Sequence, residues 1–155
     1  MQTRINPAKY VTSGPVRILQ AFSKEIEDGG LDRQLLELVK IRASQINGCA
    51  YCLDMHTKDA RALGETEQRI YALNAWRETP FFTDRERAAL DWTEAVTRVA
   101  DTHVPDDVYE RVRAQFSEPE LVTLTFAAIM INAWNRLAIS FRAPAGTYQP
   151  QPVTA

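Results

Sequence analysis

At 155 residues and 45% apolar, the chain is long enough to bury one core without a disulfide or metal to staple it. Its 18 basic residues are interspersed among 20 acidic ones with no Lys/Arg run to follow a phosphate backbone, which argues against a nucleic-acid partner. MQTRINPAKYVTSGPV has no apolar stretch of export-signal length, so the expected setting is the reducing cytoplasm, where a purely structural disulfide is disfavoured.

The elements in chain order are all helical. GPVRILQAFSKEIEDGG spaces Val16, Leu19, Phe22 and Ile26 at steps of three and four and stops at Gly29-Gly30. LDRQLLELVKIRASQING repeats that spacing through Leu35, Leu38, Val39 and Ile46 until Asn47-Gly48. A third helix is expected from near Cys49 to Gly64, and Thr66 can cap a short fourth, EQRIYALNAW, limited by Pro80. Thr83 with Glu86 has the spacing of a capping box for a fifth helix, DRERAALDWTEAVTRVA. Pro105 suits the first turn of a sixth, running to about Phe116. Ser117 with Glu120 opens the last, to about Phe141. Its apolar segment Leu121 to Trp134 is shorter than the ~20 residues of a membrane span, so a buried helix is expected and no membrane partner. The expected fold is an all-α, single-domain bundle of about six to seven helices over residues 15–142, with loose ends at 1–14 and 143–155.

The only two cysteines stand together in NGCAYCLDMHTKDARALG. If Cys49 opens the third helix, Cys52 at i+3 and His56 at i+7 share its face, and Cys52 to His56 is an i,i+4 pair. Thiolate is the reactive form of cysteine. A helix N-terminus, a neighbouring imidazole and a Cys-X-X-Cys arrangement each pull its pKa from ~8.5 into the range of roughly 3.5 to 7.5. Two other readings stay open on residues alone. The thiols could be buried and inert, or Cys49, Cys52 and His56 could bind zinc with Glu37 or His103 as fourth ligand, although a second Cys/His pair is missing. Covalent haem attachment is excluded, because Leu53 stands where the histidine would have to be.

LLELVKIRASQINGCAYCLDMHTKDARALG resembles the core of the carboxymuconolactone decarboxylase superfamily, and within it the AhpD-like alkylhydroperoxidase branch: a glutamate, then Cys-X-X-Cys, then three residues and a histidine. TDRERAALDWTEAVT and INAWNR are also similar to its compact members, so the likeness runs from about residue 15 to 142. That resemblance implies a thiol-dependent hydroperoxide reductase assembled as a trimer or hexamer. It has no bound cofactor and is regenerated by an external dithiol, lipoyl-type or protein thiol. Carried over by position, Cys52 is the peroxidatic cysteine, Cys49 its resolving and disulfide partner, His56 the motif histidine and Glu37 the proton-relay glutamate. Tyr51 departs from the pattern, standing where the best-known members have a second histidine. The alternatives are a decarboxylase-like enzyme on a small lactone acid and a non-catalytic zinc-binding or structural module.

One tension lies within the motif. Proximity to the helix amides favours Cys49 as the more acidic thiol, yet that effect is worth only ~0.3 to 1 kcal/mol at an exposed terminus. A base within hydrogen-bond reach acts on the proton directly, so with His56 reaching Cys52 the expected nucleophile is Cys52. On residues alone Glu37 reads as a solvated carboxylate paired with Lys40; the resemblance moves it into the relay. His103 is given no role. Trp76, Trp92 and Trp134 read as core or subunit interface.

Overall fold

Five of the α-helices start where a side chain accepts a free amide N–H. The computed structural model describes residues 2–150, the side chains of residues 7 and 8 excepted, and among them every regular element is helical. Helix α1 spans Gly14–Glu27 with Pro15 in its first turn, and α2 spans Arg33–Asn47 behind the Asp32 cap. Helix α3 covers Ala50–Ala62, with Cys49 as its N-cap rather than in its first turn. Then come α4 (Glu67–Ala72), α5 (Asp84–Thr97), α6 (Val99–Thr102), α7 (Asp106–Arg113) and α8 (Glu118–Phe141). Both expected capping boxes form, Thr83 with Glu86 and Ser117 with Glu120.

Two expected helices break, and the second break brings the α-helices among the described residues to eight, against the expected six to seven. EQRIYALNAW passes into a 3-10 segment, Leu73–Glu78, interrupted by non-helical Ala75, and the fifth helix stops at Thr97 before a kink at Arg98. Pro105 caps α7 from outside its first turn, and α7 ends at Arg113, short of Phe116.

Helix α2 runs through the middle, packed by α3, α5 and α8. Ten consecutive residues, Leu35 to Ser44, are buried, so no face of this stretch meets water and its charged side chains need partners inside the protein. Arg42 finds Glu94 of α5, whose carboxylate also accepts from Trp76 Nε1 and from Arg77. A large cluster joins Ile26, Leu36, Val39, Ala89, Val112 and Leu124; a second joins Leu38, Ile41, Leu73 and Leu90. All three tryptophans bury apolar surface and donate, Trp92 to Thr125 and Trp134 to Ser23.

Helix α8, at 24 residues, is long and apolar enough to cross a bilayer, although its apolar segment alone is shorter. Here it lies against α2 with Leu124, Ala127, Ala128 and Ile131 fully buried. Its outer side leaves Val122, Phe126 and Ile129 exposed near α1, where Phe22 meets Phe126 edge-to-face at 5.8 Å, and Ile18 of α1 is 68% exposed.

Residues near both described ends make hydrogen bonds to the helices. The amides of Arg4 and Ile5 donate to the Phe141 carbonyl, ahead of a 3-10 turn at Pro7–Tyr10. Residues 143–150 carry no helix yet lie along α3: Gly146 N–H donates to Asp54, Lys58 to the Tyr148 carbonyl, and Tyr148 Oη to Asp59 at 2.7 Å. Residues 151–155 of the expected loose tail lie outside the described residues.

Candidate active site

The turn from α2 into α3 sets the two thiols. Gly48 caps α2 at φ +69°, a left-handed conformation that glycine adopts without penalty, and the Cys49 amide returns to the Ser44 carbonyl at 3.0 Å. Cys49 then serves as N-cap of α3, its sulfur accepting the Cys52 N–H at 3.4 Å. Both cysteines are free thiols and each is 1% exposed. Ala43 of α2 and Ile131 of α8 close over them, with Tyr51, Trp134 and Ala138 at the margin.

A second group faces α3 from α2. Glu37 is buried, not solvated, and its two oxygens are shared: Oε1 accepts from Lys40 at 2.7 Å, and Oε2 from His56 Nδ1 at 2.8 Å. Burial pushes the Glu37 carboxyl up, but the His56 bond and the Lys40 ammonium outweigh it and hold it below its ordinary value. An ionised carboxylate only accepts, so Nδ1 carries a proton and Nε2 is the ring atom left to exchange one. Lys40 also meets Glu27 at 3.2 Å, and these carboxylates keep it charged although buried.

Two expectations change here. His56 is turned to Glu37, and among the described residues no hydrogen bond joins it to either sulfur, so the direct base contact expected for Cys52 is not formed. Of the pair, Cys49 is the more acidic thiol. Its thiol is lowered to about 7, first because the Cys52 S–H donates to it, with the amides of Cys52 and Tyr51 adding and burial opposing. Cys52, donating that proton and buried, is pushed above the usual thiol range. The helix-terminal amides point the same way as the neighbouring thiol and add to its larger effect.

The zinc arrangement is not assembled. Among the described residues, the one cluster with three candidate ligand atoms within 4.8 Å of one another is Glu37, His56 and Asp59, which holds neither cysteine; His103 is an exposed residue ending α6. Tyr51 borders Cys52, and burial with the nearby thiol pair raises its phenol.

Residues not singled out as site residues also gather here. Asn135, fully buried on α8, donates to Ser44, accepts from Asn47 and favours the charged form of both sulfurs. Two asparagines spaced i,i+3 inside an otherwise apolar helix were the available signal. Asp59 and Tyr148 join beside His56, and nothing in a polar tail marks Tyr148 beforehand.

Residues 16–95 match the family described as the carboxymuconolactone decarboxylase family. YdfG, an uncharacterized protein of Bacillus subtilis, is 43% identical over 140 residues, 90% of this chain and 95% of its own length. A crystal structure from Agrobacterium tumefaciens, a protein of unknown function offered as an antioxidant defence protein AhpD, is 43% identical with a TM-score of 0.88, covering 95% of this chain and 100% of that one. The debrominase Bmp8 shares the fold alone: 16% identity, TM-score 0.74, over 85% of this chain and 71% of its own.

Proposed function

Because the chain belongs to the carboxymuconolactone decarboxylase family, and its one Cys-X-X-Cys pair is reduced and buried beside a glutamate-histidine relay, we propose that it is a thiol-dependent hydroperoxide reductase. The observation that carries this is the cap: at the N-terminus of α3 the Cys49 sulfur accepts the amide N–H of Cys52 at 3.4 Å, which favours its thiolate.

The chemistry balances with two thiols per peroxide. Proton exchange between two bonded sulfurs is fast beside O–O cleavage, so the attacking sulfur is set by where the peroxide sits and where its leaving oxygen finds a proton. Cys52 stands one helical turn from His56, which favours attack there. Its proton passes to Cys49, and the Cys52 thiolate takes the distal oxygen of R-O-O-H as the O–O bond breaks. The departing alkoxide takes, through His56 backed by Glu37, the proton that Cys49 released on ionising, and leaves as the alcohol. Cys49, deprotonated again by the same relay, attacks the Cys52 sulfenic sulfur and expels water, closing a Cys49–Cys52 disulfide. An external dithiol, lipoyl-type or a protein thiol, supplies two electrons by exchange and restores the pair. Cys49, the more acidic thiol, suits the resolving and exchange steps.

Free-thiol titration before and after one equivalent of an alkyl hydroperoxide, with zinc assayed on the same sample, tests this directly. Both thiols are expected to disappear per peroxide consumed; unchanged thiols, or stoichiometric zinc on them, would sink the proposal.

Assembly of several copies, a trimer or hexamer, belongs to the same reading. The exposed Ile18, Val122, Phe126 and Ile129 lie on two adjacent helices and form the kind of apolar surface that closed symmetric assembly covers. Light scattering at micromolar concentration should report an oligomer, and Ile129→Glu should lower its mass. A monomeric parent chain would remove this part.

A further inference from the structure

Arg136 has only N–H donors, and this fixes the direction of every amide between it and the thiols. Its guanidinium donates to Asn132 Oδ1 at 2.9 Å, so that atom is the oxygen; Asn132 Nδ2 agrees, donating to the Ala128 carbonyl at 2.8 Å. Asn47 approaches the same oxygen at 2.9 Å and must present Nδ2 to it. The same Asn47 nitrogen lies 2.8 Å from Asn135, whose facing atom is therefore Oδ1. Nδ2 of Asn135 is thereby turned to the opposite side, where one hydrogen goes to Ser44 Oγ at 3.0 Å.

Its second hydrogen is left for the cysteines. Ile131 and Ala138, which flank Asn135 on that face of α8, pack against Cys49 and Cys52, and the Asn135 amide favours the thiolate of each. Asn135 is fully buried, so water does not compete for the donor.

We propose that Asn132, Asn47 and Asn135, aligned from one end by Arg136, form a fixed amide chain that aims an N–H of Asn135 at the Cys49–Cys52 sulfurs and stabilises negative charge on them. Asn135 presents its donor to the reacting atoms in this proposal, whereas Asn47, Asn132 and Arg136 are positioning residues that keep its donor side inward. The device accepts charge on either sulfur, so it serves the resting thiolate, the attacking thiolate and the thiolate released by the reductant. It rests on the function proposed above in taking these sulfurs as the reacting atoms.

The test reads Cys49 alone, as the rate of iodoacetamide labelling against pH in a Cys52→Ser background. The other ionisable groups around the pair, Tyr51, Asp54 and His56 on α3, Glu37 and Lys40 on α2, and Tyr148 of the tail, remain in every variant. Adding Asn135→Ala should move the midpoint toward the ~8.5 of an ordinary thiol and slow labelling at pH 7 roughly tenfold. Arg136→Met, at an exposed position, should give a smaller shift in the same direction by freeing the amides to turn. A purely packing role would change the rate at all pH values without moving the midpoint. Coincident midpoints in Asn135→Ala and the background chain would overturn the proposal; if Asn135→Ala does not fold, coincidence in Arg136→Met overturns it. Peroxide turnover of the unmodified chain is measured separately. A shifted midpoint without turnover leaves the amide chain standing and sinks the peroxidase.

Discussion

Cys52→Ser is expected to abolish peroxide consumption, by several orders of magnitude, because a hydroxyl of ordinary pKa is a far poorer nucleophile than a thiolate. Cys49→Ser should instead reduce one equivalent and stop, with one oxygen added at Cys52, or over-oxidise to the sulfinic acid when peroxide is in excess. Stopped-flow peroxide consumption with mass spectrometry of the product distinguishes these outcomes. The pair of variants also decides the order of the sulfurs, since Cys49 is the more acidic thiol. If Cys52→Ser kept the single reduction and Cys49→Ser lost it, the attacking and resolving roles would be exchanged.

Glu37→Gln is expected to be the most damaging change that leaves the thiols in place. Lys40, 3% exposed, would keep only the half-exposed Glu27 at 3.2 Å, and leaving a buried charge underpaired costs roughly 3–5 kcal/mol. With Glu27 still present the lower end applies, about 3 kcal/mol, which for a chain of this size lowers the melting midpoint by ~6–12 °C. Adding Lys40→Met should return much of that loss, because no unpaired charge remains. The acid dependence has a definite sign. Glu37 is held below its ordinary 4.5 in the folded protein, so its contribution is complete above that pH and is lost as pH falls through the folded value. The gap in melting midpoint between parent and Glu37→Gln should therefore be constant near neutrality and close in acid. A gap unchanged well below pH 4.5 would refute the assignment of that stability to the ionised carboxylate.

What the sequence made legible here was mostly local. Thr66, Thr83 and Ser117 sit at helix starts because a side-chain oxygen three residues back reaches a free amide whatever the rest of the fold does. The i+3 and i+7 spacing that gathers Cys49, Cys52 and His56 on α3 is equally local. Breaks at Ala75 and Arg98 carry no such mark, since neither glycine nor proline stands there and the helical apolar spacing continues through both. The direction in which His56 points depends on Glu37, nineteen residues away on another helix, and the orientation of Asn135 on a chain of amides ending at Arg136. Periodicity within one helix holds neither fact. For the same reason the greater acidity of Cys49, which draws on the neighbouring Cys52 thiol and the amides at the start of α3, was not legible from the spacing of His56.

From the described part of the tail, the hydroxyl of Tyr148 donates to the carboxylate of Asp59, which itself sits beside Glu37 and His56. This bears on how the protein is handled. Cutting the chain after Phe141, where the last helix ends and composition invites trimming, removes that donor together with the Gly146 and Lys58 ties. Asp59, already raised by burial and by the Glu37 charge, would then face the imidazole as a second anion open to solvent. An affinity tag fused close behind residue 150 pulls on the same segment. Work on the thiol chemistry is therefore safest with the tail intact and any tag at the opposite end, beyond the Arg4 and Ile5 ties to Phe141.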